Sequence, residues 1–407
     1  MKPRTIDAFF DRVVRTFPAV VLTGPRQSGK TTYLRHKLAK THRYVNLEDP
    51  QTALRATTDP VTFLSTLSGP VILDEIQRAP DLLVYIKSRI DEDRTPGRWI
   101  LTGSQNFALM EGVSESLAGR AAVLTLLPFS FCERVGAGNR SRSVDELFSG
   151  DRRRRAVRDD EDFAGTVLRG NYPEIASDDR IDRQAWCGSY ISTYLERDIR
   201  NLKQVGDLGQ FQLFLQACAV RTGQLLDVSS VASDVGISFS TAKRWLSLLE
   251  TGYQVLLVYP YYRNIGKRLV KRPKLYVTDT GLVSYLLGLH ETEPMISGPY
   301  WGALFETAVV VDIWKRFLHH GEKPSMYYLR TRDGLEVDLV IERASKFDLI
   351  EVKSAATITP GHIKSLVRVK KELGDLVRGS WLIANSTESF ILQPGVRVLS
   401  RKDALLG

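Results

Sequence analysis

The stretch that most constrains this chain is GPRQSGKT, residues 24–31. It fits G-x-x-x-x-G-K-[ST] at every fixed position. Its flanks fit too: the apolar run Ala19, Val20, Val21, Leu22 predicts a strand, and TTYLRHKLAK predicts a helix. A glycine-rich turn between strand and helix lets backbone N–H groups approach phosphate oxygens, and the helix dipole favours the anion. The expected cradle is Gly24, Pro25, Arg26, Gln27, Ser28, Gly29, Lys30, Thr31 and Thr32. Lys30 would reach the β- and γ-phosphates, and the Thr31 hydroxyl would sit on Mg²⁺. A strand, loop and helix of this kind open an α/β fold.

Hydrolysis also needs a metal carboxylate and a group that orients water. VILDE (71–75) supplies both after an apolar strand: Asp74 for the Mg²⁺ shell and Glu75 to polarise the attacking water. A third strand, WILT (99–102), runs into Gly103-Ser104-Gln105-Asn106. Ser104 is the candidate sensor of the γ-phosphate, with Thr102 and Asn106 as alternatives; a plain Gly/Ser/Asn turn explains the same residues. Arg120, closing SESLAGR, is the candidate for stabilising transition-state charge, in cis or across a subunit boundary. Arg197 and Arg200 compete for that role, and a surface arginine is the plain reading of each. The cofactors this predicts are ATP and Mg²⁺.

GPRQSGKTT, VILDEIQRAP, ILTGSQN, SLAGR and LPFSFCE together resemble a family of bacterial and archaeal AAA-type P-loop ATPases. GNYPE (170–174), YISTYLERDIR (190–200) and KLYVTDTGL (274–282) extend the resemblance to nearly the whole chain; 136–162 fits least and reads as an insert. The resemblance implies an AAA-type core, a C-terminal domain of poorly understood role, a ring-like homo-oligomer such as a hexamer, an arginine supplied by a neighbouring subunit, and work on nucleic acid.

The 407 residues exceed one ordinary core, so two to three domains are expected. With 43% hydrophobic and 25% charged residues the composition is that of a globular protein. No run approaches the roughly 18 apolar residues of a membrane span, so no membrane partner is expected, and the first residues lack signal-peptide shape. Cys132, Cys187 and Cys218 are scattered and odd in number, which suits a reducing cytoplasm. The net charge of +9 is compatible with a polyanionic partner. Part of it lies in RRRR (152–155), within a stretch that reads as a solvated linker.

In the middle, LLDVSSVASDVGISFSTAKRWLSLLETGY (225–253) reads as helix, Gly236 turn, helix. In the second helix Ala242, Trp245, Leu246, Leu248 and Leu249 would face inward, leaving Ser240, Lys243, Arg244 and Ser247 outward for a groove or phosphates. Two apolar strands then flank the basic RNIGKRLVKRP, a β-hairpin wing with Arg263, Lys267, Arg268, Lys271 and Arg272 at its tip. Winged helices also serve only to pack against neighbouring subunits.

In the last third, WGALFETAVVVDIWKRFLHH predicts a helix carrying Glu306. The strand LEVDLVIE (335–342) alternates: Leu335, Val337, Leu339 and Ile341 on one face, Glu336, Asp338, Val340 and Glu342 on the other. FDLIEVKSA follows, with Glu351 and Lys353 two apart and therefore on one face. A sheet with one wet face explains that alternation. The set Glu306, Asp338, Glu351 and Lys353 also resembles the PD-(D/E)XK nuclease site, which implies Mg²⁺ between Asp338 and Glu351, tuned by Glu306, with Lys353 activating water.

The expected architecture is an α/β multidomain chain: an AAA-type core (1–135), a basic insert (136–162), a helical connector (163–205), a winged helix-turn-helix (206–290) and a restriction-endonuclease-like domain (291–407). The expected function is a Mg²⁺-dependent ATPase that binds DNA, branched DNA included, and couples hydrolysis to remodelling or translocation. The alternatives are a nucleotide-gated regulatory switch with an inert C-terminal domain and an ATP-dependent nuclease.

Overall fold

The computed structural model describes residues 1–103, 116–149, 162–194, 208–261, 271–331 and 334–407. Ser104, Asn106, Arg152 to Arg155, Arg197, Arg200, Arg263, Lys267 and Arg268 lie outside the described residues.

Five strands form the first sheet: β1 (Ala19–Thr23), β2 (Arg43–Asn46), β3 (Val71–Asp74), β4 (Trp99–Thr102) and β5 (Ala121–Thr125). Their order is β2-β3-β4-β1-β5, and every neighbouring pair is parallel. Helices cover both faces, so the central strands are apolar throughout rather than alternating. Ala19, Val21, Leu73, Trp99 and Leu101 pack on the side of helix Leu82–Glu92, with its Leu83, Ile86 and Ile90. Val20, Leu22, Ile72, Ile100 and Leu124 point the other way, to Phe10 and Val13 of α1 (Asp7–Val14) and Tyr33 and Leu34 of α2 (Lys30–Lys37). The phosphate-loop motif thus lies between β1 and α2. The expected α/β core with a parallel sheet is what the N-terminal region forms.

The middle of the chain holds α3 (Val228–Val235) and α4 (Phe239–Thr251), joined through Gly236 at φ 74°. Ser238 caps α4 by accepting from the Thr241 N–H at 3.1 Å. Ala242, Trp245, Leu246, Leu248 and Leu249 are buried, while Ser240, Lys243, Arg244 and Ser247 are exposed, as the helical spacing predicts. The strand β6 (Gln224–Leu225) precedes them, and β7 (Val255–Pro260) and β8 (Lys274–Val277) follow as an antiparallel pair.

The last third contains α5 (Trp301–His320), β9 (Met326–Arg330), β10 (Glu336–Arg343), β11 (Lys346–Lys353), α6 (Lys364–Leu373), β12 (Val377–Ala384), β13 (Phe390–Gln393) and β14 (Val396–Ser400). These strands do not form an isolated sheet. β7 pairs with β9 through Tyr259–Tyr327 and Pro260–Tyr328. One nine-stranded sheet results, ordered β13-β14-β12-β11-β10-β9-β7-β8-β6, and it runs across residue 290.

The strict alternation expected in β10 is corrected. The β9–β10 register shifts between Val337 and Val340. Leu335, Val337 and Val340 join the core under α6, whereas Leu339 and Ile341 join the core under α5. A bulge of this kind redirects side chains and is common beside functional sites. The wet face is absent as well: Asp338 is 5% exposed and Glu351 7%.

Candidate active site

Loop 24–29 is shaped by backbone that few side chains tolerate. Gly24 sits at φ 142°, and a Cβ there would meet the Leu126 carbonyl oxygen at 2.1 Å. Gln27 and Gly29 also have positive φ, 58° and 91°, and Gly29 stands at the N-terminus of α2. The Lys30 ammonium folds into the loop and donates to the carbonyls of Gly24 at 2.9 Å and Pro25 at 2.7 Å. The Ser28 hydroxyl is fully buried with no hydrogen-bond partner in the protein. An oxygen-rich anion would give these donors acceptors.

Asp74 closes the opposite side. One carboxylate oxygen accepts from Thr31 at 2.8 Å and from the Tyr44 phenol at 2.6 Å; the other accepts from Thr102. Thr102 is therefore tied to the metal carboxylate, and Tyr44 is a neighbour that the motifs do not announce. Burial and the Asp74 hydrogen bond raise Tyr44 above the usual phenol range, which keeps it a donor. The paired Thr31 and Asp74 oxygens fit Mg²⁺, which takes one or two protein oxygens and completes its octahedron with phosphates and water. Glu75 adopts a left-handed conformation, φ 59°, and its carboxylate accepts from Gln77. A non-glycine residue held there costs of order 1–3 kcal/mol, a cost typical of functional positions.

A buried strut anchors the loop. Arg4, 3% exposed, donates to the carbonyls of Ser28 at 3.2 Å and Leu127 at 2.6 Å and pairs with Glu133 at 3.2 Å. Glu133 in turn faces His319 of α5 at 3.4 Å. Phe131 donates its N–H to Asp312, and Lys315 donates to the Phe129 carbonyl. Helix α5 is thus fastened to the segment beneath the phosphate loop.

The other end of α5 carries Glu306, and the structure brings it together with Asp338, Glu351 and Lys353. Lys353 lies 2.6 Å from Glu351 and 3.5 Å from Asp338. The centre of the group, however, is occupied by a residue the sequence reading did not include. Lys274 of β8, 3% exposed, places its ammonium 3.2 Å from Glu306, 2.7 Å from Glu336 and 3.0 Å from Asp338. Tyr276 adds a 2.7 Å bond to Glu306. Burial, then the adjacent Asp338, pushes Glu306 up to about 7 and Glu351 up to about 8. Burial opposes charge on Lys274, but Tyr276, Asp338, Glu306 and Glu336 outweigh it and hold the ammonium well above its ordinary value. Among the described residues, no group of three His, Cys, Asp or Glu side chains is placed to hold a metal ion. The expectation that Glu306, Asp338 and Glu351 share Mg²⁺ does not fit this arrangement.

For Arg120, only the reading in cis is corrected. It precedes β5, whose register pairs Ala19 with Ala121 and Thr23 with Thr125. Arg120 therefore lies at the opposite end of the sheet from the phosphate loop, about 16 Å away at roughly 3.3 Å per residue. It is engaged with Asp91 at 2.6 Å, so it cannot serve its own site. Lys271 and Arg272 are exposed; Arg272 pairs with Asp227 at 2.9 Å. The three cysteines are buried thiols, and among the described residues no helix is long and apolar enough to cross a membrane.

Comparison with known proteins agrees with the first site. Residues 16–135 match the AAA domain family, 160–293 match a domain of unknown function (DUF8612), and 301–402 match another (DUF4143). Uncharacterized proteins of Mycobacterium tuberculosis and Mycobacterium bovis are each 32% identical over 349 residues, covering 85% of this chain and 72% of theirs. The chain belongs to their family of AAA-domain proteins. This chain is an ATPase, with its AAA domain over residues 16–135. Two solved structures share part of its course. A Walker-type ATPase of Pyrococcus abyssi has TM-score 0.43 and 13% identity, covering 70% of this chain and 99% of that one. The RuvB Holliday junction branch migration motor of Thermotoga maritima has TM-score 0.30 and 14% identity, covering 62% and 88%. Scores this low carry no argument about what the AAA-domain protein acts on.

Proposed function

We propose that this AAA-domain ATPase couples ATP hydrolysis to work on DNA. At the nucleotide site, backbone N–H groups of 24–29 and the N-terminus of α2 take the phosphates, and Lys30 leaves the Gly24 and Pro25 carbonyls to reach the β- and γ-phosphoryl oxygens. Mg²⁺, held through Thr31 and Asp74, would neutralise charge building on the phosphoryl group. Thr102 and Tyr44 fix the Asp74 carboxylate by donating to it. Glu75, oriented by Gln77, accepts a proton from the attacking water. Arg120 lies at the far end of its own sheet, so in this reading it would serve the site of a neighbouring subunit in a ring-like homo-oligomer, with Arg197 and Arg200 as the competing arginines.

The observation that carries the DNA reading is the outward face of α4. A helix that buries five apolar residues on one side presents Lys243 and Arg244, both exposed, with Ser240 and Ser247. It is the second helix of a capped helix–turn–helix and precedes the antiparallel pair β7–β8, the arrangement of a winged helix, with Lys271 and Arg272 just before β8. Phosphate contacts by these cations would give affinity without base sequence preference. The sheet β9–β12 with α5 and α6 across its faces follows the restriction-endonuclease-like order, which supports a DNA-binding C-terminal unit. Fluorescence anisotropy with duplex and four-way DNA tests this. Lys243→Glu with Arg244→Glu is expected to weaken binding at least tenfold and to flatten its salt dependence by about two phosphate contacts. Equal affinity and equal salt slope in the double variant would refute the assignment.

A further inference from the structure

A nuclease-like unit raises the question of what neutralises its acidic cluster. We propose that the Lys274 ammonium is the resident cation of this cluster, standing where a divalent metal would stand, so that the C-terminal unit binds DNA without a metal centre of its own. The inference builds on the nuclease-like reading of this unit, and its test does not depend on DNA binding.

The geometry is that of an ammonium. A lysine has three N–H donors, and Lys274 has three carboxylate neighbours, Glu306, Glu336 and Asp338, at 2.7–3.2 Å. Mg²⁺ needs oxygens at about 2.0–2.1 Å in a near-ideal octahedron; it would have to displace Lys274 and draw the same oxygens inward. The second oxygens of Asp338 and Glu336 are committed as well. Asp338 accepts from the Val352 N–H at 3.0 Å with its second oxygen, and that oxygen also faces Lys353. Glu336 is shared with Arg330 at 3.1 Å. Four carboxylates therefore meet three side-chain cations, Lys274, Lys353 and Arg330, and their charge is largely balanced within the chain. The second oxygen of Glu351 is a buried acceptor without a hydrogen-bond partner.

Sheet topology delivers this lysine. Lys274 comes from β8, which reaches the cluster because β7 pairs with β9 and continues the sheet. The same ammonium thereby ties the hairpin strand of the middle unit to α5 and β10. Removing it would leave Glu306, Glu336 and Asp338 around a buried space with one cation fewer, the condition under which carboxylates recruit a divalent ion.

The test is Mn²⁺ titration of the nucleotide-free full chain, read by electron paramagnetic resonance of free Mn²⁺ and by melting temperature. The wild type is expected to hold no Mn²⁺ that Asp338→Asn removes, and Mn²⁺ should shift its melting temperature no more than that of Asp338→Asn. Lys274→Gln is expected to gain one Mn²⁺ per chain, to melt higher with Mn²⁺ than without, and to lose both gains when combined with Asp338→Asn. Lys274→Arg, which keeps a cation there, should behave as the wild type. A wild-type Mn²⁺ site abolished by Asp338→Asn would overturn the proposal, and this arm decides even if Lys274→Gln fails to fold. A folded Lys274→Gln chain that gains no Mn²⁺ would overturn it as well.

Discussion

Replacing Arg4 by Met is expected to destabilise the chain by about 3–5 kcal/mol, the range for leaving a buried charge without its partner. Glu133 is 0% exposed and pairs with the Arg4 guanidinium at 3.2 Å. It would retain the Thr5 N–H at 2.7 Å, the Ser130 N–H at 2.9 Å and His319 at 3.4 Å, which holds the loss within that range. The carbonyls of Ser28 and Leu127 lose a donor too, at about 1 kcal/mol each, and that loss is part of the same range. At roughly 2 °C per kcal/mol for a chain of this size, the melting temperature should fall by about 6–10 °C at pH 7.5. The pH dependence discriminates further. In the wild type, burial would raise Glu133, but Arg4 and then His319 outweigh it and hold the carboxyl below its usual range. Its ionisation thus contributes stability that is complete above the unfolded carboxylate value of about 4.3 and lost as pH falls toward the folded value. Without Arg4, burial prevails and the sign reverses: the penalty exists at high pH and disappears once Glu133 is protonated. The gap in melting temperature between wild type and Arg4→Met should therefore narrow from pH 7.5 to pH 5, measured by scanning fluorimetry. A gap below about 2 °C at pH 7.5, or one that stays constant with pH, would refute the reasoning.

Two further substitutions address the nucleotide site. Glu75→Gln should lower kcat by about 10²–10⁴-fold while leaving nucleotide affinity within a few-fold, because the carboxylate acts on water rather than on the phosphates; a comparable loss of affinity in equilibrium titration would contradict that role. Gly24→Ala should cost at least about 2 kcal/mol and abolish nucleotide binding, since its Cβ would collide with the Leu126 carbonyl at a φ of 142°; a variant with normal affinity and unchanged melting would refute the loop geometry.

What could be read from the amino acids depended on whether the signal was local. Residues 24–31 and 71–75 carry their chemistry within single motifs, and the AAA domain lies where they place it. The buried and exposed faces of α4 followed from helical spacing, because one turn of helix decides them. Non-local geometry was illegible. The bulge in β10 reassigns Leu335 and Val337 to a different core from Leu339 and Ile341, and nothing in the alternation announces it. Arg120, closing SESLAGR, was a candidate in cis or across a subunit boundary, and parallel register puts it at the far end of its own sheet from the phosphate loop. Lys274 was missed because it lies 64 residues before Asp338, on a strand belonging to another unit. Its one signal was a lysine opening the otherwise apolar KLYV, where a solvated end is the ordinary explanation. Tyr44 and Arg4 likewise reach the nucleotide site only through the fold.

The most direct test of the account is steady-state ATP turnover of the wild-type chain with and without DNA, at low salt and with Mg²⁺ present. The account predicts a basal rate that Lys30→Ala removes, and a rate that duplex or four-way DNA raises several-fold in the wild type but not in Lys243→Glu with Arg244→Glu. A turnover rate that duplex, single-stranded and four-way DNA all leave unchanged would contradict the coupling of this ATPase to DNA.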